Sequence, residues 1–166
     1  MHISQGKEEF INAWGQMGIN WGINKTMGQI HALLLISIKP MCADDVMKSL
    51  GISRGNAHQN IKCLLEWELI RGIQIEGERK EFFEAEKDMW SAFTKIIKQR
   101  KKRELEPMLE ILAELKKTEC TCTESTEFCK IMEELHLFST KADRALENIV
   151  SARSSWLIGN YLKVMR

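Results

Sequence analysis

The polar residues between Ser53 and Lys62 have types and spacing that suit recognition more than bond making. In SRGNAHQNIK, Asn56, His58 and Gln59 carry donors and acceptors that can meet base edges, and asparagine and glutamine amides match the pattern adenine shows in a major groove. Ser53 and Arg54 stand where a helix would begin, so backbone amides and positive charge both favour phosphate there. Gly55 has no side chain and lets a backbone come close. Lys62 suits a phosphate better than a base. A second cationic pair, Arg79 and Lys80, follows in EGERK. An arginine there suits a narrow A·T minor groove, and Lys80 would hold the adjacent backbone. The chemistry these nine residues could do together is the reading of double-stranded DNA. The plain counterpart is an ordinary polar helix face and hairpin.

The flanking residues supply elements that could position them. In CADDVMKSLGISRGNAHQNIKCLLEW, Asp44 and Asp45 fall in a predicted first helical turn, where negative charge suits the helix dipole. Val46, Met47 and Leu50 make one apolar face. Gly51 stops that helix in a left-handed backbone, Ile52 plugs the corner, and Ser53 caps a second helix. Ala57, Ile61, Leu64 and Leu65 recur at helical spacing and face inward. Two helices joined by a tight turn form a helix-turn-helix. Ile70–Ile75 and Glu81–Ala85 then alternate weakly as strands around Gly77, which predicts a hairpin with a basic tip. The fold class expected is mainly α with a small β-hairpin wing: a winged helix-turn-helix core followed by helices.

At this point the chain resembles a known family. LGISRGNAHQNIKCLLEWELIR with GERKEFFEAE, and the upstream WGINKTMGQIHALLLIS, look like the GbsR branch of the MarR-type regulators, over roughly Phe10 to Leu112. The resemblance implies a homodimeric winged-helix transcriptional regulator, a repressor by expectation, with DNA as partner. It also implies an effector resembling choline, a quaternary ammonium compound. The family's usual Asp-Arg wing pair is here Glu78-Arg79. An alternative of another class is a winged-helix module that binds protein without DNA; the cations Arg54, Lys62, Arg79 and Lys80 favour DNA.

Bulk properties bound the rest. The 166 residues suit one domain, or a DNA-binding core plus a helical extension. The division expected is 1–87 for the arm and winged core and 88–166 for helices of dimerisation. Net charge is +1, which leaves the local patch to decide phosphate affinity. The run HALLLISI is far short of the ~20 residues of a membrane span. MHISQGKEEF lacks a signal pattern, so a cytoplasmic protein is expected. No phosphate loop, dinucleotide turn, HExxH or Gly-x-Ser-x-Gly occurs, which argues against an enzyme, and no cofactor is implied. The five cysteines form no disulfide framework, so reduced thiols are expected. Cys120, Cys122 and Cys129, with His136, lack the spacing of a zinc site.

Along the chain, Lys7–Trp21 is predicted helical, with an aromatic stripe and three weakening glycines at 15, 18 and 22. A second helix runs from Asn24 to about Ile38 with Met27, Ile30, Leu34 and Ile38 inward, and His31 near that face as a hydrogen-bonded structural residue. Asp88 caps a long helix that contains the basic run KQRKKR, with a kink or junction near Leu105 and Glu106 because of Pro107. Thr121 and Glu124 suggest a capping box. Helices follow over 128–135 and 139–150, and Trp156, Leu157 and Tyr161 suggest a docked terminus. Trp14, Trp21, Trp90 and Phe93 are candidates for an aromatic cage that holds a quaternary ammonium; as plain core they would serve equally.

Overall fold

The structure is a computed structural model and describes residues 2–20 and 22–152. It divides into two compact units, Met1–Ala92 and Phe93–Arg166.

In the first unit, α1 (Ile3–Asn20) packs on α2 (Lys25–Ile36). Gly15 and Gly18 lie inside α1 and are buried, and the helix continues through both to Asn20 despite their low propensity. They serve its close crossing with α2. A Cβ on Gly28 of α2 would stand 3.0 Å from the Gly15 Cα and 3.1 Å from the Trp14 carbonyl. Both are backbone atoms and cannot swing away. Gly28→Ala should therefore lower the unfolding free energy by about 1 kcal/mol, and the urea midpoint with it, because overpacking of ~1–3 kcal/mol exceeds the ~1 kcal/mol that alanine gains in a helix. A raised midpoint would show that the crossing has slack.

Asn24 caps α2, its Oδ1 accepting from the Met27 amide at 2.8 Å. The helix ends at Ile36 and not at Ile38, and Ile38 is 97% exposed instead of facing the core. The physical cause is Lys87, whose ammonium donates to the Leu35 carbonyl at 2.6 Å and the Ser37 carbonyl at 2.8 Å. It satisfies carbonyls that the helix end leaves open.

A two-residue strand β1 (Met41–Cys42) leads into α3 (Ala43–Leu50) and α4 (Arg54–Glu66). Strands β2 (Ile70–Gln74) and β3 (Glu81–Ala85) then form an antiparallel hairpin, and β1 adds to it in the order β1-β3-β2. Met41 pairs with Phe83, and Ile70 with Ala85. Ile30, Leu34, Val46, Leu64 and Leu69 are the largest fully buried side chains, so α2, α3, α4 and the start of β2 share one core. A helix-turn-helix backed by α2 and followed by a hairpin is a winged helix.

Helix α5 (Met89–Arg100) passes from the first unit into the second. A π-helical turn (Lys101–Leu105) follows, then α6 (Glu106–Leu115) with Pro107 in its first turn. Pro107 lacks an amide and crowds the carbonyl four residues back; the wider turn accommodates both. The junction expected near Leu105 and Glu106 is thus a local widening of the helix. Beyond the α6–α7 turn, α7 (Thr123–Ser151) is one helix of 29 residues and not two. No glycine or proline interrupts it. Its cap is also displaced from Thr121 and Glu124: Cys122 is the N-cap, and Ser125 Oγ accepts from the Cys122 amide at 2.9 Å.

Cys120 and Cys129 are joined in a disulfide with Cα atoms 6.7 Å apart, which corrects the expectation of reduced thiols. The turn carries Cys120 back onto α7, a proximity that sequence spacing does not reveal. Cys122 beside it is a free, exposed thiol. A hydrogen bond with Ser125 holds it below the usual thiol range. Trp156, Leu157 and Tyr161 lie outside the described residues. Among the described residues no helix is long and apolar enough to cross a membrane.

Candidate nucleic-acid interface

Helix α3 starts under Asp45, whose carboxylate accepts from the Cys42 amide and thiol, each at 3.1 Å. These bonds hold it below the usual carboxylate range. Gly51 closes the helix at φ 64°, ψ 34°, a conformation costly for any residue with a Cβ. Ile52 continues the turn, its amide bonded to the Met47 carbonyl at 3.3 Å. Ser53 then caps α4, its hydroxyl accepting from the Asn56 amide at 3.4 Å. This local chemistry fixes where α4 starts and therefore which side chains share its faces.

The inner face of α4 buries Ala57, Asn60, Ile61 and Leu64; Leu65 is only half-buried. The outer face exposes Arg54, Gly55, Asn56, His58, Gln59 and Lys62, with Ser53 at its start. A Cβ at Gly55 would meet nothing within 4 Å, so no contact inside the chain requires glycine there. Lys62 stands 3.9 Å from Glu66, one turn along. The wing tip turns at Gly77, φ 85°, and places Arg79 and Lys80 in solvent.

Two features of this surface were not visible in the sequence. The first is a run of amides behind Asn56. Asn60 is 2% exposed. Its Oδ1 accepts from Asn24 Nδ2 at 2.7 Å, and its Nδ2 donates to the Asn56 carbonyl at 2.8 Å and to Asn56 Oδ1 at 2.7 Å. Asn56 Nδ2 in turn donates to Thr26 Oγ1 at 3.5 Å. The side chain expected to read bases is therefore held in place by the cap of α2. Position 60 belongs to the buried stripe 57, 60, 61, 64, and that phase was the available signal. The second feature is Asp44. Its carboxylate lies 2.7 Å from Lys80 Nζ and 3.8 Å from Arg54 Nη2, so it joins α3, the start of α4 and the wing.

The candidate aromatic cage is distributed differently. Trp14 Nε1–H donates to His31 Nδ1 at 3.2 Å, and its ring lies 5.4 Å from that of Phe10. His31 is buried, and burial lowers its pKa to about 4. Its Nε2 is buried with no hydrogen-bond partner. Trp90 is half-buried in the first turn of α5, where Asp88 Oδ1 accepts from its amide at 2.9 Å. Phe93 belongs to the second unit, and Trp21 lies outside the described residues. In the basic run, Arg100 pairs with Glu104 at 2.9 Å. Lys101 pairs with Glu147 and, at 3.2 Å, with Asp143. Among the described residues no three His, Cys, Asp or Glu are placed to hold a metal ion.

No family model matches this chain. Two proteins of Bacillus subtilis (strain 168) are similar to it. One, named "Putative HTH-type transcriptional regulator YvaV", is 22% identical over 95 residues, 57% of this chain and 54% of that protein. The other, named "HTH-type transcriptional repressor OpcR", is 20% identical over 95 residues, 57% of this chain and 51% of that protein. The chain thus matches about half the length of these curated relatives, and both names describe regulators, not enzymes. A crystal structure of a transcriptional regulator is similar at a TM-score of 0.68 and 13% identity, covering 95% of this chain and 99% of that one. That likeness is one of fold, and the fold is a winged helix.

Proposed function

We propose that the protein is a double-stranded DNA-binding transcriptional regulator that reads its operator with the outer face of α4 and with the wing. The observation that carries this reading is the sidedness of α4. Ala57, Ile61 and Leu64 seat it in the core, and the opposite face offers Asn56, His58 and Gln59 to solvent with cations at both ends. The unexplained glycine at 55 fits the same reading, because a duplex could supply the close contact that the chain itself does not. The names of the two relatives agree with it.

The finer assignment is a homodimeric, cytoplasmic repressor of the GbsR branch. Met108, Ile111, Leu135 and Phe138 on α6 and α7 are exposed in the single chain, and a second copy would cover such apolar groups. A quaternary ammonium effector remains part of the proposal. Calorimetry with choline and glycine betaine tests it, and absence of heat from either removes the effector.

Binding to a duplex from the protein's own promoter region tests the main reading. Gln59→Ala should cost roughly 1–3 kcal/mol at one base position and leave random DNA unaffected. Lys62→Ala should weaken every duplex alike and flatten the salt slope by about one unit. Arg79→Ala should remove most operator preference with an unchanged melting curve. Identical losses for Gln59→Ala and Lys62→Ala on both duplexes would overturn the contact assignment. No salt-dependent binding at all would leave the protein-interaction module as the reading.

A further inference from the structure

We infer that Asp44 is a resident stand-in for a DNA phosphate, occupying the place between Arg54 and Lys80 that the duplex must take. This rests on the DNA-binding reading above and adds to it a built-in competitor. The three residues come from three parts of the fold: Asp44 from the first turn of α3, Arg54 from the start of α4, Lys80 from the wing turn just before β3. They line a cleft of about 260 Å³ together with His58. One carboxylate oxygen faces each cation, Oδ2 to Lys80 and Oδ1 to Arg54. A phosphate presents the same arrangement, two anionic oxygens able to accept from two donors. The cleft opens beside the Ser53-capped start of α4, where backbone amides favour an anion. The hydrogen bond with Lys80 holds Asp44 below the usual carboxylate range and raises Lys80 in return.

The clasp is displaceable. Side-chain exposure is 39% for Asp44, 74% for Arg54 and 57% for Lys80, and exposed pairs of this kind are weak. A duplex phosphate, with further contacts along the helix and wing, can replace the carboxylate. Every bound duplex must do so, because both cations are otherwise half-neutralised. Asp44 therefore lowers affinity for specific and random DNA alike. The opposite role is a positioning one, in which Asp44 holds Lys80 toward the duplex. The two roles predict opposite signs.

Asp44→Asn keeps the size and removes the charge. On both operator and random-sequence duplexes it should bind roughly fivefold tighter at low salt, with a salt slope steeper by up to about one unit. Asp44→Glu should return affinity toward wild type. In an Arg54→Ala, Lys80→Ala background the effect of Asp44→Asn should vanish, which a general change of charge or of fold would not produce. Melting curves confirm that each variant folds. Wild-type binding with equal or weaker binding by Asp44→Asn overturns the stand-in alone. A wild type that binds no duplex overturns the DNA-binding reading, and the stand-in with it.

Discussion

Asn60→Asp should destabilise the protein by roughly 3–5 kcal/mol at neutral pH, the cost of a buried charge without a partner. The substitution changes almost nothing in volume. It changes a donor into an acceptor. In the wild type Asn60 Nδ2 donates to both the carbonyl and the Oδ1 of Asn56. A carboxylate there would face two oxygens, of which the backbone carbonyl cannot rotate away. Only the bond from Asn24 Nδ2 would survive, because Oδ1 already accepts it. Acid should return part of the loss, since a protonated carboxyl can donate to the Asn56 carbonyl again. Asn60→Ala should cost less, about 2–3 kcal/mol for its lost hydrogen bonds, without the recovery in acid. Urea unfolding of both variants and wild type across pH measures this. An Asn60→Asp protein as stable as wild type at neutral pH would remove the amide network from the account of the reading head. In variants that remain folded, operator preference should also fall, because Asn56 loses the partner that orients it.

Acid should separately expose His31. Burial lowers its pKa from 6.5 to about 4, and Nδ1 is occupied as the acceptor of the Trp14 indole N–H. Above the unfolded value both states are neutral and His31 contributes no pH dependence. As pH falls below 6.5 the unfolded chain takes up a proton that the folded chain refuses, and stability declines. The decline ends near pH 4, where the folded state also charges. Its depth should be roughly 3 kcal/mol. Carboxylates such as Asp44 and Asp45, held low in the folded state, add losses of the same sign at lower pH. The contribution of His31 is therefore read as a difference from His31→Gln, which can still accept from Trp14 but does not titrate. Parallel stability curves for the two proteins between about pH 7.5 and pH 4 would show that His31 is not buried neutral.

The helix-turn-helix was legible because its signals are local. Gly51 at a left-handed stop, Ser53 as a cap and the stripe Ala57, Ile61, Leu64 each act within a few residues. They determine which side of α4 faces out, and so the set of candidate contacts. The hairpin followed from Gly77 and the strand formers at 82 and 83 for the same reason. Other features depended on partners distant in the chain. Gly15 reads as a helix weakener until Gly28 is laid against it. Ile38 fits the helical period, yet Lys87 closes the helix before it. Cys120 and Cys129 meet only because the α6–α7 turn doubles back. Asp44 reads as a helix-dipole charge, which it is. That it also holds Lys80 depends on a wing folded back 36 residues later. Periodicity and caps determine faces and ends, because they are properties of a single helix. Which face meets which, and which charge finds which, only the tertiary packing decided, because each such contact joins residues that no local rule relates.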